Sequence, residues 1–120
     1  MAGYGAFIRA MADLAGACVS AERIQAAGHA ERTNARDLPL GDVERRRKAL
    51  LLGLSPEQRA LVAGMLADER RGAIHDVLAH LEWATSCGMI EMRADGVSFA
   101  EASIETMPGD FLSRLDGAND

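Results

Sequence analysis

The stretch Ser55–Gly88 constrains this chain most, because it carries both ends of one long helix. Ser55-Pro56-Glu57-Gln58 reads as a start: Ser55 can accept from first-turn backbone donors, Pro56 has its φ preset for the first helical position, and Gln58 completes a capping box. Gly88 supplies a stop. The predicted helix therefore runs from Pro56 to Cys87, and its inner face is interrupted by charge at Asp68-Glu69-Arg70-Arg71-Gly72.

Successive residues placed 100° apart resolve the apolar face of this helix into two stripes. Leu61, Val62, Met65 and Leu66 form one; Ala73, Ile74, Val77, Leu78 and Leu81 form the other. Gly72, at the change, permits a bend or the close approach of another backbone. In a straight helix Glu69, Asp76, His80 and Trp83 continue the first stripe, with Asp76 and His80 one turn apart. Glu69, Arg70, Asp76 and His80 are thus the candidate functional cluster. Three readings compete: first an ion-pair network that orders helix packing, then a partner surface, then a metal or acid–base site.

Composition narrows the fold. The chain has 120 residues, enough for one domain that buries roughly two-thirds of its unfolded surface without disulfides or metal. Apolar residues make up 48% but aromatics only 4%, so Leu, Ala, Met, Ile and Val are expected to build a helical core. Cys18 and Cys87 are far apart and match no zinc spacing, which predicts reduced thiols in a cytoplasmic protein. No apolar run approaches the roughly 20 residues that span a bilayer, and Leu14-Ala15-Gly16-Ala17-Cys18 lacks the leader of a lipoprotein signal.

Phe7, Ile8, Met11, Leu14, Ala15, Cys18 and Val19 recur at helical spacing, which predicts a first helix from about Gly5 to Ala27, ended by Gly28. Residues 29–41, with Pro39, read as a connector. Asp42 is the expected cap of a second helix, Val43–Leu52, stopping at Gly53. After Gly88 the period falls to two: Ile90 and Met92, then Asp95-Gly96, then Val97 and Phe99 predict a small hairpin. Met107-Pro108-Gly109-Asp110 reads as a break before a short last helix, Phe111–Leu115. The expected architecture is mainly α: one small domain, residues 1–120, of about three to five helices with a short C-terminal β-hairpin.

The net charge of −5 is unevenly placed. Residues 1–90 balance 11 acids against 11 bases, whereas residues 91–120 hold seven acids against Arg93 and Arg114. Glu91, Glu101, Glu105, Asp110 and Asp116 are therefore the candidate acidic binding surface. A nucleic-acid binder shows the opposite bias, and the lone basic run Arg45-Arg46-Arg47-Lys48 sits beside Asp42 and Glu44. There is no Gly-rich phosphate loop and no nucleophile elbow.

His75-Asp76 resembles the paired His-Asp of the HD phosphohydrolases, which bind metal and cleave phosphate esters. That family needs a further upstream His and a downstream Asp; here only His29 and Asp110 or Asp116 are available, so no metal site is expected. A second resemblance covers more of the chain. Leu54-Ser55-Pro56-Glu57-Gln58-Arg59, Ile74-His75-Asp76-Val77-Leu78, Asp95-Gly96-Val97 and Asp110-Phe111-Leu112-Ser113-Arg114-Leu115-Asp116-Gly117 occur in one order. Together they resemble, over residues 54–117, a family of small bacterial proteins classed as a domain of unknown function. The resemblance implies a fold and brings no catalytic role.

The leading expectation is a non-enzymatic protein-binding module (a regulator, inhibitor or immunity-type protein) that offers its acidic C-terminal surface to another protein. It carries no cofactor, touches no membrane or nucleic acid, and is compatible with a homo-oligomer. The alternative is a metal-dependent hydrolase on the His75-Asp76 helix; a helical DNA-binding regulator is third.

Overall fold

The computed structural model describes residues 2–27 and 41–117. These are mainly helical, in the order α1 (Ala2–Gly16), α2 (Val19–Ala27), α3 (Asp42–Leu52), α4 (Pro56–Ser86), β1 (Arg93–Ala94), β2 (Val97–Ser98), α5 (Phe99–Ala102) and α6 (Met107–Asp116). The connector read at 29–41 and the stop at Gly28 lie, apart from Gly41, outside the described residues. The chain divides into two compact units, one drawn from Met1–Ala17 and Glu69–Asp120, the other from Cys18–Asp68.

Both ends of α4 form as their residues dictate. Gln58 N–H donates to Ser55 Oγ at 3.1 Å while Ser55 N–H donates to Gln58 Oε1 at 2.9 Å, a reciprocal capping box. At the other end Gly88 has φ +74°, with Met89 N–H on the Ala84 carbonyl and Gly88 N–H on that of Thr85. This is the Schellman arrangement, and it needs a residue without a Cβ penalty.

The first helix is two helices. Gly16 ends α1, and Ala17 N–H turns back to the Leu14 carbonyl at 3.3 Å. That carbonyl also accepts from Arg70 Nε at 2.5 Å, and a cation at a helix C-terminus is favourable. The Cys18 carbonyl then accepts from Glu22 N–H to begin α2. Of the apolar residues at helical spacing, Ile8 and Ala15 are buried whereas Leu14 and Val19 are exposed; Tyr4, outside that set, is buried as well.

In the unit of residues 1–17 and 69–120 the core is Tyr4, Ile8, Ala15, Leu78, Phe99, Met107 and Phe111, flanked by Phe7, Ile74 and Leu81. Contrary to the composition argument, aromatic rings are central. Phe99 meets Tyr4 edge-on at 5.1 Å and Phe7 at the same separation. The second α4 stripe supplies Ile74, Leu78 and Leu81, while Val77 and Ala73 face solvent. Asp95 and Gly96 both have positive φ, the geometry of a two-residue hairpin turn, and β1 and β2 pair antiparallel with Arg93 opposite Ser98. A Cβ at Gly3 would collide with that of Ala94, so glycine is what lets α1 lie against the hairpin.

Two helix starts differ from the sequence expectation. Ser98 caps the single turn α5 by accepting from Glu101 N–H at 3.2 Å, an S-x-x-E signal directly after the hairpin. Met107-Pro108-Gly109-Asp110 is the first turn of α6, not a break: Thr106 Oγ1 accepts from Gly109 N–H at 3.0 Å, and Pro108 sits where no helical donor is required. Tyr4 meets Asp110 near the starts of α1 and α6; toward their ends, Leu14 meets Arg70, and Asp116 shares a cavity with Arg71 and His75. Since Glu82 holds the start of α6, α1 and α6 run parallel to each other and antiparallel to this half of α4.

In the unit of residues 18–68, Ala21, Ile24 and Ala63 are the buried side chains among the described residues. Leu61 and Met65 of the first α4 stripe are exposed, and Val62 and Leu66 are half-buried. Asp42 is not the cap of α3. Gly41 takes that place without a side-chain bond, and Asp42 pairs with Arg45 inside the first turn.

Candidate functional site

The charged cluster on α4 does not close into a network. Glu69, Asp76 and His80 are exposed, and no hydrogen bond or ion pair joins them among the described residues. Asp76, with 85% of its side chain exposed, meets His75 Nδ1 at 3.4 Å rather than His80. The His80 ring leans on Trp83 at 5.5 Å. Arg70 turns to the end of α1, as above, and among the described residues nothing lies within 4 Å of where a Cβ on Gly72 would stand. The reason lies in the wheel: the core claims the stripe of Ile74, Leu78 and Leu81, which leaves the charged stripe outside.

The acidic surface is also divided. Glu91 pairs with Arg93 at 2.6 Å, and Arg93 donates on to the Gly96 carbonyl, so this pair braces the hairpin. Glu101 and Glu105 are exposed. Asp116 lines a cavity of about 420 Å³ with His75 and Arg71. Among the described residues no three His, Cys, Asp or Glu side chains group as metal ligands; His29 lies outside them. On α3 the basic run is partly matched, Arg45 by Asp42 and Arg47 by Glu44.

Asp110 stands apart, because it is half-buried and both its oxygens are occupied. Oδ2 accepts from Tyr4 Oη at 2.6 Å and from Ile104 N–H at 2.9 Å; Oδ1 accepts from Glu105 N–H at 3.1 Å. One carboxylate therefore ties α1, the α5–α6 loop and α6 together. Burial, then the hydrogen bond to Asp110 and the charges of Asp110 and Glu82, push the Tyr4 phenol well above its ordinary range. It is held neutral, as a donor. Glu82 completes the brace by accepting from Met107 N–H at 3.1 Å. Sequence reading missed Glu82 because its partner is 25 residues away and no local pattern marks the pair.

Beside this brace lies a cleft of about 530 Å³ between α1 and α6. Ile8 and Ala102 give it apolar wall, and Ser113, Arg9 and Arg114 line it one turn beyond the Tyr4–Asp110 bond. At its rim, Ile104 is 91% exposed although its backbone is fastened by Asp110.

The chain matches the family of unknown function DUF6547 over residues 1–119. It belongs to the DUF6547 family. The likeness read over residues 54–117 thus extends to the N-terminal helices as well. No curated protein and no solved structure matches this DUF6547 chain. Among its described residues no helix is long and apolar enough to cross a membrane.

Proposed function

We propose that this DUF6547 protein is a protein-binding module whose partner seats on the ledge formed by Ile104. The observation that carries the reading is the contrast at that residue: a large apolar side chain 91% exposed on a backbone whose N–H is fixed to Asp110. A loop ordered in advance loses little entropy on binding. Covering an exposed Ile contributes about 1.5–3 kcal/mol. Exposed Glu101 and Glu105 flank it and suit a partner with basic rim residues. Asp110 and Glu91 of the acidic surface expected from sequence are engaged within the fold, and Asp116 lies in the cavity with Arg71 and His75, which leaves Glu101 and Glu105 beside Ile104. The same reading puts the protein in the cytoplasm, where the unbonded Cys18 and Cys87 persist as thiols.

The test is affinity capture from the native cell with wild type and Ile104→Asp, followed by calorimetry on the purified pair. A specific partner held by wild type and lost by Ile104→Asp, at unchanged urea midpoint, is the expected result. Equal capture by both proteins defeats the proposal.

A further inference from the structure

Arg9 and Arg114 both line the α1–α6 cleft, and neither has a hydrogen-bond or ion-pair partner among the described residues. The parallel run of the two helices explains why both line it. From Tyr4 on Asp110, a step of about one turn along each helix reaches Arg9 and Arg114 at the same end. Two guanidiniums thus line one cleft with Asp110 and Glu105, in a chain whose net charge is −5. The nearest acid, Asp110, already accepts three bonds; Glu105 lines the cleft as well, on the loop beside Ile104, and pairs with neither arginine. Ser113 adds a hydroxyl at the basic end, and the wall beside it is Ile8 and Ala102. The volume, about 530 Å³, falls in the range of small-molecule sites, roughly 300–1,000 Å³.

We infer that this cleft binds a small amphipathic anion: a carboxylate or phosphate head on Arg9 and Arg114, with an apolar body along Ile8 and Ala102. Guanidinium forks match both head groups, and the low polarity of the adjoining wall strengthens the pairing. The inference does not rest on the Ile104 partner reading, since it concerns the purified chain alone.

Isothermal titration of the full chain with octanoate, octyl phosphate, inorganic phosphate and octylammonium tests it. One octanoate or octyl phosphate per chain is expected; the tighter of the two identifies the head group. Inorganic phosphate should bind more weakly for want of a body, and octylammonium not at all. Arg9→Gln with Arg114→Gln should weaken the amphiphile at least about tenfold. Arg9 is exposed, so Arg9→Gln alone serves if the double variant does not fold. Amide shifts at Ser113 and Gly117 on titration locate the site in wild type. Binding of octylammonium as tight as octanoate, affinity unchanged in the arginine variants, shifts elsewhere, or no binding of either amphiphile each overturns the inference.

Discussion

The unit of residues 1–17 and 69–120 and the unit of residues 18–68 are built from similar helices but filled differently. The first buries Tyr4, Leu78, Phe99, Met107 and Phe111 and ties its loops with Asp110 and Glu82. The second buries Ala21, Ile24 and Ala63 among its described residues while Val43, Leu50, Leu52, Leu61 and Met65 stay exposed. Buried apolar area drives folding, so the described residues of the second unit, where two of the three buried side chains are alanines, draw less from it than the rings of the first. The candidate site sits in the first unit for a related reason. A cleft with a fixed rim needs rigid walls, and α1 and α6 are made rigid by the shared core and by the Asp110 brace.

The sharpest test of that contrast is Phe111→Ala, since the ring is fully buried. It should cost about 3–5 kcal/mol in urea unfolding, whereas Leu61→Ala, at 70% exposure, should change stability by no more than about 0.5 kcal/mol. Comparable losses would mean that the second unit holds a core of equal weight. Next in size is Asp110→Ala, which leaves the Tyr4 hydroxyl and two backbone N–H groups without their acceptor, at about 1–3 kcal/mol.

The same brace makes stability depend on alkaline pH. The fold raises the Tyr4 pKa above its ordinary value of 10.0, so the unfolded chain ionises first. The contribution is complete below pH 10 and declines as pH rises beyond it. Urea midpoints measured across that range should fall more steeply in wild type than in Tyr4→Phe. Parallel curves would remove Tyr4 from the account. Smallest are the helix surface changes. Ser55→Ala should cost about 1 kcal/mol by removing the cap, and Asp76→Asn about 0.5 kcal/mol or less because its carboxylate is in solvent. A larger loss for Asp76→Asn would restore the packing network that its spacing to His80 suggested.

What the sequence determined by itself is local. Ser55 with Gln58, Gly88, and Asp95-Gly96 each act within a few residues, through caps and backbone angles that need no distant partner. The ends of α4 and the hairpin were therefore legible, and so was the helical class. Thr106 and Ser98 carry the same local capping chemistry. Facing, by contrast, was left to the tertiary structure. Periodicity marks two stripes on α4, but only packing by Phe99, Met107 and Phe111 selects Ile74, Leu78 and Leu81 as the inner one and turns Asp76, His80 and Trp83 outward. The carbonyl of Leu14 at the end of α1 is met by Arg70, 56 residues distant. Asp110 reads as one more surface acid until Tyr4, 106 residues earlier in the chain, closes on it; the pairing arises because α1 and α6 lie side by side, which no spacing along the chain records.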